Sequence, residues 1–381
     1  MKEENRRYAE EAFEIVEHAA KKIGSRLPGS DGEKEYAAYM GDKLRSIGIE
    51  PVREEFAVSP RASIGGIPYA GYLGLIMSAL VYVALHLSAV WYGMALASVV
   101  CWVWLILSVF LYKTWFDMFF KQEISQNTYG ELLPPDGKYD YTIILSGHTD
   151  TSWCWRHSAH ASKFKKTKPA MGLVATFAKV GFGVICFLFL TAVSIAMTVI
   201  SSGVYFGEVW ALKIANSASF ANFLFAMHFL PVVTAIGCMF VVMWADPNPR
   251  NASRGAMDNA TGCALSFAVT KYFHDHPEKM PKNCRIIDFN CGSEEAGLRG
   301  SIAFTREHKG EPILENTWNI NIDSVADKDF FEVVIKDDWQ FCRFDTDLEK
   351  MFKDTFNELG IVSKTNGCIH NPVGGCDSTP M

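Results

Sequence analysis

The sequence predicts an α/β fold, a three-layer sandwich around a mixed, mainly parallel sheet that two transmembrane helical hairpins interrupt. Three observations carry this. Short β-rich runs alternate with segments of helical periodicity. Several of the junctions between them hold a carboxylate or a histidine. Two long apolar stretches, almost free of charge, split the pattern.

Between Tyr8 and Ile23 the apolar residues Phe13, Val16, Ala20 and Ile23 recur at helical spacing. Ser30-Asp31-Gly32-Glu33 reads as a capping box for a second helix through Ile47, with Ala37, Met40, Leu44 and Ile47 as its buried stripe. Glu50 to Val58 alternates as a strand, and Asn127 to Leu133 is a candidate partner. The chain between those two strands carries the first insertion.

From Arg61 to Lys113 only His86 could charge near neutrality, and one bilayer crossing needs about 20 apolar residues. Two crossings are expected near 66 to 86 and 93 to 112, and a second pair near 180 to 202 and 220 to 244. Tyr69, Tyr72, Trp91, Tyr92 and Trp115 are candidate interfacial anchors. The expected organisation is N-terminal helices and first strand (1–65), hairpin (66–112), first metal motif (113–178), second hairpin (179–245) and remaining motifs (246–381). Paired crossings return the chain to one face of the bilayer after each insertion.

Arg53, Arg61, Lys113, Lys121, Lys163, Lys165, Lys166, Lys168, Lys179, Arg250 and Arg254 flank the crossings on the motif-bearing side, against Lys213 opposite. The excess of basic residues directs that side to the cytoplasm. With 49% hydrophobic and 20% charged residues and a formal net charge of -6, the chain has no basic face for nucleic acid. Its ten cysteines lack paired Cys-x-x-Cys spacing and read as reduced, and the polar start Met1 to Arg7 is not a cleavable signal peptide.

The chemistry lies in four motifs: Ser146-Gly147-His148-Thr149-Asp150, Gly255-Ala256-Met257-Asp258-Asn259, Gly292-Ser293-Glu294-Glu295-Ala296-Gly297-Leu298 and Asn321-Ile322-Asp323. His148 and Asp150 follow the β-rich run Tyr141 to Leu145, Glu294 follows Arg285 to Cys291, and Asp323 follows Trp318 to Ile322. Open α/β sheets bind ligands at such strand ends. Taken singly, His148 could be an ordinary core histidine, Asp258 a helix cap, Asp323 a turn residue and Glu294-Glu295 a solvated pair. Together they supply the carboxylate and imidazole ligands that zinc accepts.

In these motifs the chain resembles zinc-dependent exopeptidases of metallopeptidase family twenty-eight, the aminopeptidase Y and bacterial leucyl aminopeptidase type. Arg26-Leu27-Pro28-Gly29-Ser30, Asp258-Asn259-Ala260-Thr261-Gly262, Glu294 through Ser301 and Gly374-Gly375-Cys376-Asp377 also match. The resemblance implies a membrane-anchored aminopeptidase that hydrolyses peptide substrates with two zinc ions. By that resemblance His148 and Asp323 bind one zinc, Glu295 binds the other, and Asp258 bridges them. Asp150 would orient His148. Glu294 would be the general base that moves a proton from the attacking water to the leaving amine.

The family pattern has a further histidine beyond the segment that matches Gly374 to Pro380, and this sequence stops at Met381. A C-terminally truncated chain is the expectation, with His370, His157 and His160 read as loop residues. A non-catalytic membrane scaffold with a degenerate site and a single-zinc glutaminyl-cyclase-like enzyme are the alternatives. The sequons at Asn251 and Asn259 read as chance matches.

Overall fold

The computed structural model describes residues 3–154, 169–244, 253–326, 331–361, 363–369 and 375–381. His157, His160, Lys163, Lys165, Lys166, Lys168, Arg250 and His370 lie outside the described residues. The elements run α1 (Glu3–His18), α2 (Asp31–Ser46), β1 (Val52–Val58), α3 (Ile67–Ala84), α4 (Ala89–Trp104), β2 (Glu123–Leu132) and β3 (Tyr141–His148). Next come α5 (Pro169–Tyr205), α6 (Val209–Ala215), α7 (Ala218–Ala226), α8 (Leu230–Val242), α9 (Thr261–Asp275) and β4 (Cys284–Cys291). The chain closes with α10 (Arg299–Glu307), β5 (Thr317–Asn321), β6 (Phe331–Asp337), β7 (Cys342–Arg343), α11 (Thr346–Leu359) and β8 (Ser363–Ile369).

Two compact units result. The first comprises Met1–Ile64, Ser108–Trp153 and Asn248–Met381, and the second Gly65–Leu107 and Cys154–Pro247.

The first unit is built on a five-stranded sheet of order β1-β2-β4-β3-β5. β1 and β2, and β2 and β4, pair antiparallel, while β3 pairs parallel with both β4 and β5. Every residue of central β4 is buried, as a strand covered on both faces requires. On one face Tyr8, Ile15, Tyr36, Met40, Leu44 and Phe267 form a core from α1, α2 and α9. On the other, Tyr129, Ile287, Phe289 and Phe304 pack beneath α10, with the Phe289 and Phe304 rings 4.5 Å apart. Each such side chain contributes roughly 1.5–3 kcal/mol by leaving water. The mixed α/β architecture is thus as expected.

Some expectations need correction. Val16 and Ile23 pack against the core of α1, α2 and α9 as expected, but its buried residues here are Tyr8, Ala12 and Ile15 of α1 and Ala19 just beyond it, whereas Phe13 is 68% exposed. Two neighbouring faces share the same period, and polar partners choose between them. Glu11 pairs with Lys43 and Lys271, and Arg7 with Asp275, which turns Phe13 outward. The stripe on α2 is as expected, with Ala37, Met40, Leu44 and Ile47 all buried. β2 begins at Glu123, four residues before the expected start, and β3 runs through His148, so that histidine ends the strand instead of following it. A second, three-stranded sheet of order β7-β6-β8 was not expected.

The second unit is helical and apolar. Ile64–Ala84, Ala89–Phe110 and Ala178–Tyr205 are each long and apolar enough to cross a membrane. A fourth candidate is the pair Ala218–Ala226 and Leu230–Val242, bent by 48°. Small residues let these helices approach closely: a Cβ on Gly71 would lie 2.5 Å from the backbone nitrogen of Val242. Ser78 and Thr234 hydroxyls meet across the same pair of helices at 2.9 Å. Trp91 is buried inside this bundle and is no interfacial anchor, whereas Tyr69, Tyr72 and Tyr92 are exposed, as is Trp115 of the first unit.

Candidate metal centre

β3 delivers His148 at its last position, 1% exposed on its side chain. Nε2 lies 3.0 Å from Asp258, 3.8 Å from Asp323 and 3.9 Å from Glu294. One ligand atom from each of His148, Asp258 and Asp323 lies within 4.8 Å of the others, a spacing that can hold a metal ion. These residues come from three separate stretches of chain. Two glycines bring those stretches together. A Cβ on Gly147 would lie 2.5 Å from the Cys263 nitrogen, and one on Gly262 would collide with the Ile322 carbonyl. Asn259 closes the arrangement by donating to Ile322 O at 3.0 Å and accepting from Gly262 N at 2.9 Å.

On the other side of the imidazole, Asp150 Oδ1 is 3.3 Å from Nδ1. The same carboxylate accepts the backbone N–H of Glu294 through Oδ1 (2.9 Å) and of Glu295 through Oδ2 (3.0 Å). One buried residue therefore orients the histidine and holds the turn that carries both glutamates. That 3-10 turn, Glu294–Ala296, starts from Ser293 in the left-handed region at φ 54°.

Burial alone would lower the His148 pKa, but contacts with Asp150 and Asp258 and the Glu294 charge lift it well above its ordinary value. Burial, only partly countered by His148, pushes Glu294 well up, with the Glu295, Asp377 and Asp323 charges adding to it. Glu295 rises through burial and the neighbouring Asp258 charge. Asp323 rises through burial and, despite His148, through Asp258. Asp258 runs the other way: burial is outweighed by His148 and Arg26, which lower it. Both His148 nitrogens are buried without a well-aligned hydrogen bond, although carboxylates surround them. Crowded carboxylates around one imidazole are what a bound cation relieves, so the donor set fits zinc.

The expected residues therefore gather in one place, with one distinction. His148, Asp258 and Asp323 form the triad, whereas Glu295 lies outside it and is coupled to Asp258 through charge. Asp377, quoted in the sequence only as part of a motif, is fully buried. Its Oδ1 accepts from Ser301 at 2.7 Å and from the Cys291 thiol at 3.4 Å, and burial raises its pKa to about 6.

Arg26 and Glu33 were not singled out as site residues. Arg26 Nε donates to Thr149 O at 2.7 Å and its Nη2 to Gly255 O at 2.9 Å. Glu33 accepts from Ser293 N and Oγ at 2.6 and 2.9 Å. The capping-box pattern was the available signal for Glu33. Ser30 Oγ does accept from Glu33 N, but the Glu33 carboxylate turns to Gly29 N, Ser125 and Ser293.

Residues 239–366 match the model of peptidase family M28, a span that contains Asp258, Glu294, Glu295 and Asp323. No curated protein sequence matches the chain. Among solved structures, a zinc aminopeptidase from Bacillus subtilis is similar with a TM-score of 0.46 and 12% identity, covering 97% of this chain and 81% of that one. A leucine aminopeptidase precursor from Bacteroides thetaiotaomicron gives 0.44 and 12%, covering 94% and 77%. A glutaminyl cyclase from the same organism gives 0.44 and 11%, covering 94% and 76%.

Proposed function

We propose that the chain is a membrane-anchored zinc metallopeptidase, an aminopeptidase with two zinc ions, whose catalytic unit faces the cytoplasm. The observation that carries this reading is the His148–Asp258–Asp323 triad beside Glu294, with three of those four residues inside the segment that matches peptidase family M28. His148 and Asp323 would hold one zinc, Glu295 the other, and Asp258 both. Zinc there would polarise the scissile carbonyl and acidify water at the site.

The chain's own residues do the rest. Asp150 fixes the His148 ring and the Glu294–Glu295 turn together. Glu294, at 12% side-chain exposure, takes the proton of the attacking water and passes it to the leaving amine. The peptide enters where the site opens, at the side chains of Asp258 (44% exposed) and Asp323 (31%).

Topology supports the membrane part. β1 and β2 flank the first apolar insertion yet pair in one sheet, and His148 and Asp258 flank the second yet share one triad. Each insertion then crosses an even number of times, which makes the bent pair Ala218–Ala226 and Leu230–Val242 a fourth crossing.

The test is hydrolysis of an N-terminal aminoacyl anilide by the purified full chain. Activity that a chelator abolishes and added zinc restores is expected, and a peptide blocked at its amine should be spared. A chain inert to free and blocked peptides at every zinc concentration contradicts the reading.

A further inference from the structure

Arg26 and Glu33 are both fully buried, and the carboxylates that act on Arg26, Asp150 and Asp258, do so through charge and not through a hydrogen bond to it. A buried ionisable group with no ion pair in direct contact is costly unless hydrogen bonds satisfy it. Here the satisfaction comes from a particular set of groups, backbone carbonyls for Arg26 and both backbone N–H and serine hydroxyl donors for Glu33.

The Arg26 guanidinium stacks 4.7 Å over the Tyr36 ring and donates to the carbonyls of Thr149 (2.7 Å), Arg254 (2.8 Å), Gly255 (2.9 Å) and Gly24 (3.2 Å). Its own backbone is tied to the same turn. Arg26 N donates to Thr151 Oγ1 at 3.1 Å, and Thr151 N donates to Arg26 O at 2.9 Å. Thr149 stands between His148 and Asp150, and Gly255 opens the turn to Asp258. Seven residues on, Glu33 Oε1 accepts both donors of Ser293, and Oε2 accepts from Gly29 N (2.7 Å) and Ser125 Oγ (3.0 Å). Ser293 is the left-handed residue immediately before Glu294 and Glu295.

We infer that the segment Arg26 to Glu33 is a clamp that sets the spacing of the three turns bearing His148, Asp258 and the Glu294–Glu295 pair. The inference rests on the metal reading of that site. Both side chains are positioning residues, because they touch the turns and not the ligand atoms. Lysine at position 26 offers one compact ammonium and cannot span the Thr149 and Gly255 carbonyls as a planar fork does. Glutamine at position 33 keeps the shape but turns an N–H₂ group toward one pair of donors.

The experiment compares the full-length chain with Arg26→Lys and Glu33→Gln after loading with cobalt(II), whose visible absorption reports ligand geometry. Measurements are made well below each melting midpoint. The clamp predicts folded variants with an altered cobalt spectrum and a kcat lower by about tenfold or more at near-constant KM, since small misplacements are costly. Should Glu33→Gln fail to fold, Ser293→Ala, which removes a single donor to Glu33, carries the same readouts. Folded variants with the wild-type spectrum and wild-type kcat overturn the clamp alone. A wild-type chain that takes up no cobalt overturns the metal reading and the clamp with it.

Discussion

Asp150 lies 3.3 Å from Nδ1 of His148 and accepts the backbone N–H groups of both Glu294 and Glu295. This carboxylate links the strand that delivers the imidazole to the turn that carries Glu294 and Glu295. Asp150→Asn presents an N–H₂ group to one of three partners that need an acceptor. Metal affinity should fall by about 10–100-fold, the usual cost of losing the partner of a metal-bound histidine. Zinc titration of the folded variant measures it.

Glu294 and Asp258 should separate chemistry from metal binding. Glu294→Gln should lose turnover by about 100-fold or more while retaining zinc, because it removes a proton carrier and no ligand. Asp258→Ala should lose zinc as well. Parallel metal analysis and hydrolysis assays distinguish the two, and full activity in Glu294→Gln refutes the base assignment.

Asp288 gives the fold a pH dependence from a residue outside the proposed ligand set. It is fully buried in β4, and burial raises its pKa to about 7 against the hydrogen bonds from Ser266 and Asn290. An unfolded aspartate titrates at about 3.9. Between those values the folded chain holds a proton that the unfolded chain releases. This contribution to stability is full below about pH 4, is lost as pH rises towards about 7, and is flat beyond. Asp288→Asn should remove that slope and raise the melting midpoint at pH 8 relative to wild type. A wild-type slope in the variant would contradict this assignment.

Membrane topology is testable from the loop around Lys213. If the bent pair Ala218–Ala226 and Leu230–Val242 crosses the bilayer, that loop lies on the face opposite the catalytic unit. With the catalytic unit on the cytoplasmic face, an epitope inserted after Gly207 should resist protease applied from the cytoplasmic side, whereas a tag at the N-terminus should be cleaved. Accessibility of that epitope and of the N-terminus on opposite faces is the expected result.

The clustering of His148, Asp258 and Asp323 was legible because each combines a residue type able to bind metal with a local signal, a strand end for His148 and Asp323 and a glycine-led turn for Asp258. The long apolar helices, candidates for membrane crossing, were legible because an uncharged run of that length is rare in a soluble core. The roles of Arg26 and Glu33 were not legible. Their partners lie more than a hundred residues away at Thr149, Gly255 and Ser293, and no local pattern encodes such contacts. Phe13 was misplaced for a related reason, since Glu11 is drawn to Lys43 and Lys271, while Val16 and Ile23 of the same stripe do pack against the core. The sheet of β6, β7 and β8 escaped because β7 has only two residues and β8 is the largely polar run Ser363–Ile369.

Zinc bound per purified full-length chain, measured by elemental analysis in wild type, Asp258→Ala and Asp323→Ala, tests the central claim most directly. The account predicts two zinc ions in wild type and clear loss in both variants, with the fold retained. Wild-type protein without zinc, or variants that retain the wild-type amount, would contradict it.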